Sequence, residues 1–279
     1  MFQVRLMRVD DFPFATQLAN TMNWNMAPED FQFMASLEPK GSFVVLDADE
    51  PIGIATCISF GAVGWFGNLI VKEKYRAKGA GSFLVKHAVN YLQNKGVKTI
   101  GLYAYPNLIN FYGNLGFKRG DDFSLFHVEP LDSLAAENLP KANGDKFAAI
   151  ATFDSQCFGG DRERLLESII LEKGNLSYYK SEDDAVVGYV AATVYETMAW
   201  IGPLICKQGQ IDAAVSLLES VLSKLTNSSV YLVLPKKERA LTKMLFSVGF
   251  KEDFTVSRMF LGPPVAKNCI YLAESLERG

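Results

Sequence analysis

Between Tyr75 and Ser82 the chain reads YRAKGAGS, and here its residue types point most directly to chemistry. Gly79 and Gly81 let the backbone turn tightly and present consecutive N–H groups. Arg76 and Lys78 add positive charge to the same loop. An apolar run, LIV, precedes it, and SFLVKHAVNYLQNK follows with helical spacing of its apolar residues. Unpaired amides at the positive end of a helix make an anion site. A pyrophosphate would suit Arg76, Ala77, Lys78, Gly79, Ala80, Gly81 and Ser82, although the same glycines also suit an ordinary strand-to-helix turn.

Strands and helices must hold this loop in place. FPFATQLANTM and PEDFQFMASL read as helices, the second with Pro28 at its first position and Glu29 and Asp30 in its first turn. SFVVLDA, IGIATCISF and WFGNLIV read as antiparallel strands joined by short turns. The helix after the loop, with Phe83, Leu84, His87, Ala88, Tyr91 and Leu92 as its predicted apolar face, stops at Gly96 and leads to the strand VKTIGLYAY. Strand, helix and strand in that order imply a right-handed crossover and a parallel pair. A short helix around 108–114 ends at Gly116. The fold class is therefore α+β, a mixed and mostly antiparallel sheet flanked by helices.

The pattern occurs twice. Gly53–Lys72 and Gly188–Lys207 align with a constant offset of 135 positions, with Trp65/Trp200, Gly67/Gly202, Leu69/Leu204 and Ile70/Ile205 identical. Asp10 and Phe12 find Asp145 and Phe147 at the same offset, and LGF at Leu115–Phe117 returns as VGF at Val248–Phe250. This register across several elements indicates a tandem duplication. It predicts one domain over 1–130 and a second over 144–279, with the polar stretch 129–143 as linker.

Composition sets the outer bounds. The chain has 279 residues, 49% apolar and 21% charged, with a net charge of −3. That suits a globular protein with a sizeable core and gives no basic patch for nucleic acid. No run approaches the ~20 apolar residues that span a bilayer, and the N-terminal residues lack a signal-peptide core, so a cytoplasmic protein without membrane attachment is expected. Cys57, Cys157, Cys206 and Cys269 are far apart with no CxxC, which predicts buried reduced thiols. His87 and His127 have no neighbours at ligand spacing, so both are read as structural and no metal is expected.

The run LIVKEKYRAKGAGSFLVKHAVNYL resembles the central motif of the GNAT superfamily of acyl-CoA N-acyltransferases, with Arg76-x-x-Gly79-x-Gly81 in place of its Arg/Gln-x-x-Gly-x-Gly/Ala signature. AYPNLINFYGNLGF resembles the superfamily's second cofactor motif, with Tyr112 and Gly116-Phe117 in register. The likeness spans roughly Phe2 to Val128, and the second half resembles a degenerate GNAT-like domain through FGGDRERLL, IGPL and SRMFLG. The resemblance implies acetyl-CoA as co-substrate, with no metal. It implies that the Leu69 N–H polarises the thioester carbonyl, that Leu69, Ile70 and Val71 lie along the pantetheine arm, and that Arg76–Ser82 hold the pyrophosphate. Tyr112 is implied as the acid that protonates the departing thiolate, against the alternative of a packing tyrosine.

Two positions depart from the pattern. Trp65 stands where many members carry a carboxylate base, which leaves a water chain, bulk solvent or another residue such as Glu38 for that role. Tyr105 replaces an asparagine often found at the end of the next strand. For the acceptor, the resemblance points to the loop Asn23, Trp24 and Asn25; Trp24 either packs a substrate group or anchors the loop. Asp154, Asp161 and Arg162 are candidates from the second half, where helix caps or a solvated face are the alternative.

The second half lacks the chemical parts. Its loop QGQIDAAV is shorter by two residues and has no arginine, Pro203 replaces Asn68, and Leu245 replaces Tyr112. The expected protein transfers an acetyl group from acetyl-CoA to a primary amine of a small molecule or peptide, with one active half, as a monomer or weak homodimer. A sensor that binds acetyl-CoA without turnover, or transfer of a bulkier acyl group, are the alternatives.

Overall fold

The computed structural model describes residues 1–130, 134–142, 144–265 and 269–279, so parts of the predicted linker (131–133 and 143) lie outside the described residues. The first half runs β1 (Phe2–Leu6), α1 (Phe12–Asn20), α2 (Pro28–Leu37), β2 (Ser42–Asp47), β3 (Glu50–Phe60), β4 (Val63–Val71), α3 (Ala80–Asn94), β5 (Thr99–Ala104), α4 (Ile109–Gly113) and β6 (Lys118–Val128). The second runs α5 (Gly144–Phe158), α6 (Glu163–Ile170), β7 (Leu176–Glu182), β8 (Ala185–Val194), β9 (Met198–Lys207), α7 (Ile211–Leu222), β10 (Ser229–Pro235), α8 (Arg239–Ser247), β11 (Lys251–Leu261) and β12 (Cys269–Leu272). The α+β reading and the meander-then-crossover order hold in both copies.

Local chemistry accounts for most boundaries. Pro28 opens α2, and the Asp30 carboxylate accepts a bond from the Ala27 N–H at 2.8 Å. The α3 face that packs inward is Ala80, Leu84, Val85, Ala88 and Leu92; Phe83 and His87, predicted on that face, sit at its margin and are exposed, because the buried row follows the i, i+4, i+8, i+12 positions from Ala80. β1 was not anticipated from the sequence. FQVRL has Phe2, Val4 and Arg5 half-buried and Gln3 and Leu6 exposed, and it pairs antiparallel with β2 along its whole length.

The twelve strands among the described residues form one mixed sheet in the order β1-β2-β3-β4-β5-β11-β6-β10-β9-β8-β7, with β12 on β9. The two copies exchange their last long strand: β11 pairs with β5, and β6 pairs with β10. Equivalent strands of a repeat fit each other's places, so the exchange keeps each ladder complete while joining the copies. The boundary at 130 therefore divides the sequence repeat, and the sheet crosses it. A shared core seals the join, in which Trp65 from β4 packs with Phe158 from α5 and Phe260 from β11.

The cysteines correct one expectation. Cys57 and Cys206 are buried thiols, but Cys157 and Cys269, 112 residues apart, are bonded to each other and tie α5 to β12. Spacing in sequence does not reveal a pair that lies 112 residues apart within the second half.

Candidate active site

β4 and β5 run parallel only from Val63 to Trp65, against Thr99 to Gly101, and then diverge. On its other side β4 stays paired with β3, but the register slips between Ile54 and Thr56, so that Asn68 and Leu69 face a single residue. This β-bulge puts Asn68 in the left-handed region, at φ +49°, which asparagine tolerates better than most residues. The Asn68 amide is buried and donates to Thr56 Oγ1 at 3.1 Å, while its carbonyl oxygen has no partner among the described residues. From Leu69 to Val71 the edge of β4 facing the gap carries no strand among the described residues.

The glycine loop lies at the end of that edge. Gly79 caps α3 with φ +90°, and Ala77 is also left-handed. Among the described residues, the N–H groups of Ala77, Gly79, Ala80, Gly81 and Ser82 donate to no backbone acceptor. Arg76, Lys78 and Gly79 are exposed, and nothing lies within 4 Å of where a Gly79 Cβ would project. Arg76 is turned inward, with Nε donating to the Val71 carbonyl at 3.0 Å. Glu50 anchors the loop from the β2–β3 turn. Hydrogen bonds from Lys72, Tyr75 and Lys74 hold its carboxyl down at about 2. The residues present thus fit an anionic, phosphate-bearing ligand: open amides, a helix start and two mobile-length cations in one place.

Tyr112 on α4 is buried against Phe111 and Phe117. Its hydroxyl makes no hydrogen bond among the described residues, and burial pushes the phenol well up, so it keeps its proton across the physiological range.

The other predicted residues divide. Asn23 and Asn25 both have positive φ and shape a tight loop between α1 and α2. Trp24 reaches from that loop to the end of β5, where its Nε1 donates to the Tyr105 hydroxyl at 3.1 Å. Asp154 does not line a cleft. It is wholly buried, paired with Arg162 at 2.6 Å, and takes a bond from the Tyr189 hydroxyl; an uncompensated charge would be prohibitive there, so the site is structural. Arg162, also buried, donates onward to the Gly279 carbonyl at 2.9 Å. Asp161 is exposed and accepts from the Glu163 N–H at 2.9 Å, two residues on at the start of α6. Glu38 is not a candidate base. Its carboxylate is held by Lys95 at 2.7 Å and by the Tyr91 hydroxyl at 2.7 Å, joining α2 to α3. His87 packs on Phe43, and His127 lies beside Asp253; no metal-binding cluster is found among the described residues.

Sequence reasoning missed the segment after β12. β12 lies antiparallel on β9 from Leu204 to Lys207, the repeat positions of Leu69 to Lys72. The groove left open in the first copy is therefore filled in the second by the chain's own strand. The second loop is also shorter than its sequence suggested: three residues separate Lys207 from α7, against seven between Lys72 and α3. Past Leu272 the chain crosses to the first copy. Trp200 Nε1 donates to the Glu274 carbonyl, and Trp65 Nε1 points to the Leu276 carbonyl at 3.4 Å. A Cβ on Gly67 would sit 2.8 Å from the Glu277 Cα and 3.0 Å from its carbonyl oxygen, so only glycine admits this crossing. The repeated Trp and Gly positions could have hinted at a shared covering element, but nothing in LAESLERG says where it lies.

Comparison with known proteins places both copies. Residues 6–117 match the acetyltransferase (GNAT) family, and residues 150–272 match the acetyltransferase (GNAT) domain. The uncharacterised N-acetyltransferase YitH of Bacillus subtilis is 22% identical over 206 residues, covering 72% of this chain and 71% of its own. Among solved structures, a protein of Pyrococcus horikoshii described as a candidate acetyltransferase superposes with a TM-score of 0.80 at 20% identity, covering 100% of this chain and 96% of its own. A GCN5-related N-acetyltransferase of Sphaerobacter thermophilus gives 0.68 at 15% identity, with 100% and 98% covered. A tandem GNAT protein from the clavulanic acid biosynthesis pathway gives 0.64 at 13% identity, with 95% and 100% covered. These share the fold across both copies.

Proposed function

The chain belongs to the GNAT superfamily of acetyltransferases through both of its halves, and from that premise we propose that the first half transfers the acetyl group of acetyl-CoA to a primary amine of a small molecule or peptide. The observation that supports this best is the open edge of β4 at Leu69–Val71, beside a bulge and leading into unpaired amides.

Each part has a chemical use. Leu69, Ile70 and Val71 offer backbone groups to an extended pantetheine amide chain, as an added strand would be held. The loop Arg76–Ser82 takes the pyrophosphate on its amides and cations. On this reading the Leu69 N–H, at the bulge beside the gap, stabilises the charge that develops on the thioester oxygen. Tyr112, kept protonated by burial, gives its proton to the leaving thiolate. Trp24 and Tyr105, bonded to each other, flank the acceptor side. The second half supplies core and cover, and the protein acts as a monomer or weak homodimer in the cytoplasm with neither membrane nor nucleic acid involved.

The test is turnover of acetyl-CoA against a panel of primary amines and N-terminal peptides, read by free-thiol release. Amine-dependent release supports the reading. Tight acetyl-CoA binding with no release for any amine overturns it in favour of a binding protein.

A further inference from the structure

β4 carries no carboxylate between Gly61 and Val71, so a base for the acceptor must come from elsewhere or be absent. The carboxylates near the acceptor side can be sorted by what already holds them. Asp30 accepts from the Ala27 N–H at the start of α2. Glu38 is engaged by Lys95 and Tyr91. Glu274 is clamped by Arg278, whose guanidinium spans both of its oxygens at 2.8 and 2.9 Å. Glu277 remains: among the described residues it forms no ion pair, since the adjacent Arg278 is spent on Glu274, and only the Ser275 hydroxyl and its own backbone N–H lie against its carboxylate.

Its position is set by backbone, not by a flexible side chain. The main chain of Glu277 lies directly on Gly67, and Gly67 is two residues before Leu69, roughly 7 Å along the strand. The residue before it is held by Trp65, the residue at the usual carboxylate position. We propose that the Glu277 carboxylate, carried into the first half's cleft by the segment that follows β12, is the base that takes a proton from the acceptor ammonium. This rests on the acetyltransferase reading of the same site.

The step balances without a further reactant. Glu277 accepts one proton from R–NH3⁺, directly or through one water, and releases it to solvent after turnover. The free amine nitrogen bonds to the thioester carbon, the carbon–sulfur bond breaks, and the thiolate takes the Tyr112 proton. The second proton on nitrogen returns to the tyrosinate through solvent. The groups that face Glu277 are Glu274 and Arg278 on its own segment, Tyr105 at the end of β5 and Tyr195 in the β8–β9 turn, with Asp30 of α2 acting on Tyr195 in turn. Burial, joined by the Glu274 charge and opposed by Arg278, raises its carboxyl above the ordinary range, toward the value a base needs at neutral pH.

The experiment uses the full chain with Glu277→Gln and Glu277→Ala. Glu277→Gln keeps the main-chain contact with Gly67, so its melting temperature and acetyl-CoA affinity should match the wild type. Its kcat/KM for the amine should fall about 10²–10⁴-fold at pH 7 and recover as pH rises toward the amine's own pKa. Formate should restore part of the Glu277→Ala rate, which a merely structural residue would not show. A difference titration of the free protein, wild type against Glu277→Gln, should reveal one carboxyl titrating above the usual range. Unchanged kcat/KM in Glu277→Gln beside an active wild type overturns the base while leaving the acetyltransferase reading intact. A wild type inactive on every amine overturns both.

Discussion

Leu272 lies opposite Leu204 in antiparallel register, and Leu204 is the repeat counterpart of Leu69. The same backbone edge is thus closed by β12 in one copy and open in the other. The full chain should therefore bind one acetyl-CoA, not two. Calorimetry should give a single equivalent per chain, lost in the double variant Arg76→Ala, Gly79→Asp, because a carboxylate would meet the pyrophosphate among its amides. A second equivalent that survives those substitutions would show that β12 yields its place to ligand.

Tyr112→Phe removes a hydroxyl with no partner among the described residues while keeping the ring that packs on Phe111 and Phe117. Stability and acetyl-CoA affinity should hold, while kcat falls about 10²–10⁴-fold if the proton counts in the transition state. Steady-state kinetics checks this, and an unchanged kcat would return Tyr112 to packing alone.

Asp154→Asn leaves the Arg162 guanidinium buried without its counter-charge. Losing one partner of such a pair costs about 3–5 kcal/mol. Thermal unfolding should show a fall of about 5–10 °C. Because Arg162 also holds the Gly279 carbonyl, this variant should loosen the segment over Trp65, read as faster amide exchange there.

Glu38 should govern part of the acid stability. Burial would raise its carboxyl, but bonds from Lys95, Tyr91 and the Ser59 N–H outweigh that and hold it below the ordinary range. A depressed folded value gives stability that is present above the unfolded pKa, about 4.3, and lost as pH falls through the folded value. Glu38→Gln should therefore cost about 1–3 kcal/mol near pH 7 and progressively less in acid. Denaturant unfolding from pH 7 downward measures this; a cost that does not shrink in acid would argue that the Glu38 charge adds nothing to stability.

The sequence by itself determined the elements and the duplication. Alternating and helical spacing, Pro28, and the glycines at 79 and 96 act over a few residues, so they are readable locally. The constant offset between copies survives because Trp65/Trp200 and Gly67/Gly202 meet the same packing demand twice. The loop Arg76–Ser82 was legible for the same reason, since a run of amides at a helix start needs only local geometry. The tertiary structure alone decided the exchange of β6 and β11, the bond between Cys157 and Cys269, the burial of Asp154, and the crossing of Glu277 over Gly67. The strand exchange, the disulfide and the Glu277 crossing join residues far apart in the chain, and the Asp154–Arg162 pair is buried only by the core that closes over it. A strand's sequence states that it will pair; which of two equivalent edges it takes depends on the core that forms between them.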